Sequence, residues 1–139
     1  MSGKTWELVL GWDTLVLGHY NRRPYTAGGI GRVGVPPVRF VDGPRGCVSY
    51  NATCFPVAMQ RGASWDVDLE ERVGRAIGRE VRASGGNYFG GVCVNILRHP
   101  AGGRAQESYS EDPCHMGAMG CALVRGVQSE NVMACVKRE

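Results

Sequence analysis

Apolar positions along this chain change period repeatedly, and the changes mark out its elements. Val38-Arg39-Phe40-Val41 is a short β-branched and aromatic run, and the Asp42-Gly43-Pro44 that follows forces a turn, which predicts a strand ending at Asp42. Leu69, Val73, Ile77 and Val81 recur at helical spacing. Asp66 is placed to cap that segment, Asp68, Glu70 and Glu71 suit the positive end of a helix, and Gly85-Gly86 closes it, which predicts about four or five turns. Tyr88 to Val94 reads as a second strand, with Asn95 to Gly103 as the loop at its carboxyl end. Asp112-Pro113 starts a second helix, since a proline in the first turn loses no bond by lacking an N–H. Met116, Met119, Leu123 and Val127 share one face of it, and the methionines read as core filling. Val132 to Val136 is a continuous apolar run, expected to be a strand buried on both faces with Lys137 at its carboxyl end. Ahead of these lie a predicted short helix around Trp6 to Leu10 and a Gly-rich connection from Ala27 to Gly31. Gly31-Arg32-Val33-Gly34 has neither a strand before it nor a helix after it, so it does not read as a dinucleotide loop.

Strand, helix, strand, helix, strand, with long intervening segments, predicts an α/β fold of parallel strands joined by crossover helices. Asp42, the Arg98 to Arg104 loop and Lys137 then fall at carboxyl ends of strands. A β/α barrel builds its active site on that face, and an open doubly wound sheet would place the same residues similarly.

Composition narrows the function classes. A chain of 139 residues with 43% apolar content suits one soluble globular domain. A net charge of +3, with arginines spread from Arg22 to Arg138 rather than clustered among aromatics, gives nucleic-acid binding little support. There is no apolar run long enough to span a bilayer and no apolar signal core near Met1, so a cytoplasmic location without membrane association is expected. Six cysteines show no Cys-x-x-Cys spacing, and free, mostly buried thiols are expected rather than a metal site or disulfides.

Asp42, Arg104 and Lys137 are the groups a carbohydrate site needs: a carboxylate to accept from paired hydroxyls and cations whose donors fix orientation. Each also has a simpler reading. Asp42 can initiate a turn, Arg104 can be a surface charge or the partner of Glu107 or Glu111, and Lys137 can simply leave the core.

Several ordered motifs go further. Val41-Asp42-Gly43-Pro44-Arg45-Gly46, Ala52-Thr53-Cys54-Phe55-Pro56, Gly62-Ala63-Ser64-Trp65-Asp66, Asn95-Ile96-Leu97-Arg98, Gly103-Arg104 and Glu107-Ser108-Tyr109-Ser110-Glu111-Asp112-Pro113 together resemble the start of the catalytic barrel of glycoside hydrolase family 3, over roughly residues 25 to 137. The family holds exo-acting β-glucosidases and their relatives. The resemblance implies an incomplete β/α (TIM-type) barrel of about the first three βα units. Residues 1–37 would be the amino-terminal helix and Gly-rich connection, and 38–139 the βα units. It implies that Asp42, Arg104 and Lys137 contact the hydroxyls of a β-linked glucoside or related oligosaccharide, with Arg45, Arg98 and Glu107 in support, and that no cofactor is used.

Two departures bear on activity. The family's third strand ends in Lys-His, whereas here Lys137 is followed by Arg138, which donates only and is bulkier. The family's retaining mechanism uses an aspartate nucleophile and an acid/base from later segments, which are expected to lie beyond Glu139. No catalytic residue is assigned within this chain, and Glu111 and Asp112 are better read as a helix start. The expectation is therefore the amino-terminal part of a β-glucosidase-like hydrolase, inactive by itself. The alternative is a non-catalytic remnant or a weak sugar-binding or complementing piece. Either would tend to self-associate through an exposed barrel edge.

Overall fold

The computed structural model describes residues 22–49 and 51–137, so the helix expected around Trp6 to Leu10 and the residue Arg138 lie outside the described residues. Four strands form one sheet in the order β1-β2-β3-β4. They are β1 (Tyr25–Ala27), β2 (Val38–Val41), β3 (Tyr88–Cys93) and β4 (Met133–Lys137). Strands β2, β3 and β4 run parallel, and β1 pairs antiparallel with β2 through Tyr25 opposite Phe40. The parallel crossovers are made by α2 (Val67–Ala83) and α3 (Pro113–Gln128), with a short helix α1 (Ala58–Gly62) on the way into α2.

The capping chemistry read from the sequence is present at both long helices. The Asp66 side chain accepts from the Leu69 N–H at 2.7 Å, and Gly85 takes φ 87° beyond the end of α2 while the Gly86 N–H bonds the Val81 carbonyl. Asp112 accepts from the N–H groups of Cys114 and His115, with Pro113 in the first turn of α3. Those two bonds hold the Asp112 carboxyl below its ordinary range.

Phe89 and Val92 of β3 are packed beneath Ile77 and Val81 of α2 and Met119, Leu123 and Val127 of α3, and all seven are fully or almost fully buried. The two helices meet backbone to backbone. A Cβ on Gly126 would stand 2.2 Å from the Glu71 carbonyl oxygen, so only glycine allows this crossing.

Three local readings change. Ala27, placed in the Gly-rich connection, ends β1, because Arg39 and Val38 offer it a backbone to pair with. The buried stripe of α2 is Glu70, Gly74, Ile77, Gly78 and Val81, so Leu69 is exposed and Glu70, read only as an acidic residue suited to the helix start, is inside. Strand β4 is not covered on both faces: Met133 is 47% and Val136 56% exposed, and among the described residues β4 pairs with β3 alone. The Gly31 to Gly34 segment is a tight 3-10 turn closed by an Ile30–Val35 bridge, with no helix on which a phosphate would sit.

Candidate functional site

The carboxyl ends of β2, β3 and β4 bring Asp42, Cys93 and Lys137 to one side of the sheet. The approach is possible because Gly91 has no side chain: a Cβ there would lie 1.9 Å from the Gly43 carbonyl oxygen. The Asp42-Gly43-Pro44 turn therefore lies directly against β3. Lys137 Nζ donates to Asp42 Oδ1 at 3.0 Å and stands 5.6 Å from the centre of the Phe40 ring. Both partners are about one-third exposed, so the pair is accessible.

The loop after β3 supplies the second ion pair. Arg104 donates through Nε to Glu107 Oε1 at 3.0 Å and through Nη2 to Oε2 at 2.5 Å, a side-on bidentate contact. The Cys93 thiol donates to the same Oε2 at 3.4 Å from the strand end below. Ser108 Oγ donates to the Asn95 carbonyl and ties the far side of the loop to its start. The Arg104 hydrogen bond holds the Glu107 carboxyl below its ordinary range, and the same bond raises Arg104. Burial, with Glu107 as the next cause, pushes the Cys93 thiol up to about 11. Cys93 is thus a neutral hydrogen-bond donor at neutral pH, not a nucleophile.

These groups border a concavity of about 500 Å³, with Cys93, Arg98, Arg104, Glu107 and Lys137 in its wall. Asp42 does not itself line the concavity and joins the group through its bond to Lys137. The charges act on one another, since Asp42 influences Glu107 and Arg104, and Lys137 influences Cys93. The arrangement offers carboxylate acceptors beside guanidinium and ammonium donors, which suits a polyhydroxylated ligand.

Of the residues singled out in the sequence, Asp42, Arg104, Glu107 and Lys137 are brought together, and Arg98 lies exposed on the pocket wall. Between the two acidic partners considered for Arg104, the structure selects Glu107. Arg45 does not line the pocket. It is exposed, and its Nε reaches the Phe55 carbonyl at 3.5 Å, where it braces the β2–α1 loop. Arg138 and its consequences fall outside the described residues.

Sequence reasoning missed two features. One is Cys93, whose only signal was its place at a strand's carboxyl end. The other is a buried cluster below the pocket, in which Arg61 donates through Nε to Glu70 Oε2 at 3.0 Å and the Tyr109 hydroxyl donates to Glu70 Oε1 at 2.5 Å. No local pattern announces a contact between residues 9 and 39 positions apart.

Comparison with known proteins identifies the family. The sequence profile of the glycosyl hydrolase family 3 N-terminal domain matches residues 19–138. A β-glucosidase of Rhizobium radiobacter is 39% identical over 120 residues, 81% of this chain and 15% of the relative. The thermostable β-glucosidase B of Acetivibrio thermocellus is 39% identical over 119 residues, 76% of this chain and 16% of the relative. The chain therefore spans about a sixth of the length of these relatives. Among solved structures, β-glucosidase 3B of Thermotoga neapolitana in complex with α-D-glucose superposes with a TM-score of 0.75 at 38% identity, over 81% of this chain and 17% of that one. A Streptomyces venezuelae β-glucosidase in complex with D-glucose gives 0.79 at 30% identity, over 84% and 15%. Three parallel strands with their crossover helices, matching part of the barrel of these enzymes, form an incomplete β/α barrel, and the chain belongs to glycosyl hydrolase family 3, within that family's N-terminal domain.

Proposed function

We propose that this chain is the amino-terminal part of an exo-acting β-glucosidase-like hydrolase and that its share of the work is to hold the terminal sugar. The observation that carries the reading is the convergence of the Asp42–Lys137 and Arg104–Glu107 pairs at the carboxyl ends of three adjacent parallel strands, around one concavity. Asp42 accepts from sugar hydroxyls while Lys137 donates, and Arg104, oriented by Glu107, presents its half-exposed guanidinium. Arg98 on the wall contributes a further donor, and Arg45 acts at a distance by bracing the turn that carries Asp42. In this proposal, residues outside the sequence supply the nucleophile and the acid/base of a double displacement that retains anomeric configuration. No carboxylate of this chain is given either role. A cytoplasmic location belongs to the same proposal, and its support is the free thiols of all six cysteines.

Titration of glucose into the 139-residue chain, followed by amide chemical shifts, tests the reading. Shifts clustered at Asp42, Arg104 and Lys137, abolished by Asp42→Ala, are expected. Shifts elsewhere, or none at millimolar glucose, overturn it.

A second reading, assembly with another copy or a complementing polypeptide, is favoured by β4, whose Met133 and Val136 are exposed beside an edge that pairs only with β3 among the described residues. Light scattering of the isolated chain is expected to show self-association that a charge at Val136 reduces. A stable monomer at all concentrations rules out assembly with another copy.

A further inference from the structure

Below the pocket, Arg61, Glu70 and Tyr109 form a buried ionic knot whose partners come from three parts of the chain. Arg61 lies in α1, Glu70 in the first turn of α2, and Tyr109 just past the loop that carries Arg104 and Glu107. The side chains of Arg61 and Glu70 are 5% and 1% exposed. Arg61 reaches both Glu70 oxygens through Nε, the Pro56 carbonyl through Nη1 at 2.6 Å, and the Tyr109 hydroxyl through Nη2 at 3.3 Å. Both terminal nitrogens also reach the Pro44 carbonyl at 3.4 Å. Pro44 is the third residue of the turn that begins with Asp42.

One guanidinium thus holds the Asp42 turn on one side and, through Tyr109, the Arg104–Glu107 loop on the other. We propose that Arg61 and Tyr109 are positioning residues that set the separation of the two sugar-contacting loops. The inference deepens the functional reading above and rests on it for the identity of the ligand. A planar fork with five donors can serve four acceptors in fixed directions at once, which a methylene-linked ammonium cannot do. Burial works against charge on Arg61, and Tyr109 and Glu70 together outweigh it, so the fork stays ionised. Burial, and then the Glu70 charge, raises Tyr109 well above the ordinary phenol range, so its hydroxyl remains a donor. Neither residue lines the pocket, so the effect is exerted through the loops alone.

The simpler alternative is that the knot only stabilises the fold, and the experiment separates the two. Hydrogen exchange is measured on the 139-residue chain and on Tyr109→Phe and Arg61→Lys, the second of which keeps a cation beside Glu70 but loses the fork. The reporters are the Val48 N–H, which bonds the Asp42 carbonyl, and the Glu107 and Ser108 N–H groups, which bond within the second loop. Exchange at all three is expected to rise about ten-fold in both variants, with Leu123 in the middle of α3 unchanged. A rise confined to one loop, no rise, or an equal rise at Leu123 overturns the proposal. Glucose titration of the same samples separates the two readings. If the loops move together but wild type binds no glucose, the positioning role stands and the sugar assignment falls.

Discussion

Two of the chain's Arg–Glu pairs, each joined through the arginine Nε, are set in opposite surroundings. Arg61 Nε meets Glu70 at 3.0 Å with side chains 5% and 1% exposed, and Arg104 Nε meets Glu107 at 3.0 Å while the Arg104–Glu107 side chains are 50% and 17% exposed. In the first pair, protein acceptors on both terminal nitrogens occupy the fork, leaving little for a ligand. In the second, Glu107 holds one edge of the guanidinium while Arg104 remains half exposed on a pocket wall. A shared Nε contact therefore does not mean an equal role. A buried pair whose fork is filled by protein acceptors is a structural joint, whereas a half-exposed one keeps a guanidinium surface within reach of solvent.

The largest expected difference between them is in stability. Arg61→Leu leaves the Glu70 carboxylate buried without its cation and should cost about 3–5 kcal/mol in urea unfolding. Adding Glu70→Leu removes the stranded charge and should recover most of the loss. Arg104→Leu, the matching change at the other pair, should cost no more than about 1 kcal/mol. Equal losses at the two sites would break the comparison.

Ligand binding should invert that order. Arg104→Lys keeps the charge but loses the side-on bidentate contact, and is expected to weaken glucose binding about ten-fold with stability nearly unchanged. Parallel loss of stability and binding would place Arg104 with the structural pair.

The smallest effect is in pH dependence. Glu107 is depressed below its ordinary value of 4.5 by the Arg104 hydrogen bond. The stability and loop order it contributes are therefore complete above 4.5 and lost only as pH falls through the lower folded value. Glucose binding should stay flat from neutral pH down to 4.5 and decline below it. A carboxyl-carbon NMR titration should show Glu107 moving back up toward 4.5 in Arg104→Leu. A wild-type midpoint at or above 4.5 would show that the pair does not hold in solution.

The two regions were also unequally legible. Strands β2, β3 and β4, both long helices and their caps could be read because their signals are local: periodic apolar residues, Asp66 and Asp112 as caps, and Gly85 at a helix end. The residues of the pocket were readable as types at strand ends, and the run of motifs pointed to their family. The knot was not readable. Glu70 stands in a first turn where acidic residues are ordinary, and nothing near it shows that an arginine nine positions earlier will cover it. The same ambiguity hid the true buried face of α2: Leu69 and Glu70 are neighbours, and the Arg61 fork is what draws Glu70 inward. β4 misled for a related reason. An apolar run reports what a strand is suited to bury, while its exposure depends on which elements lie beside it.

By itself, then, the sequence determined the order of the three parallel strands and two long helices, roughly where they start and stop, and the kinds of side chain at the strand ends. These depend on propensities and spacings that act within a few residues. Tertiary structure decided which charges meet. Lys137 finds Asp42 across 95 positions, and Arg61 joins two loops that are far apart in the chain. Those partners are chosen by the parallel sheet and by the glycine contacts that let its layers close, and by no local signal.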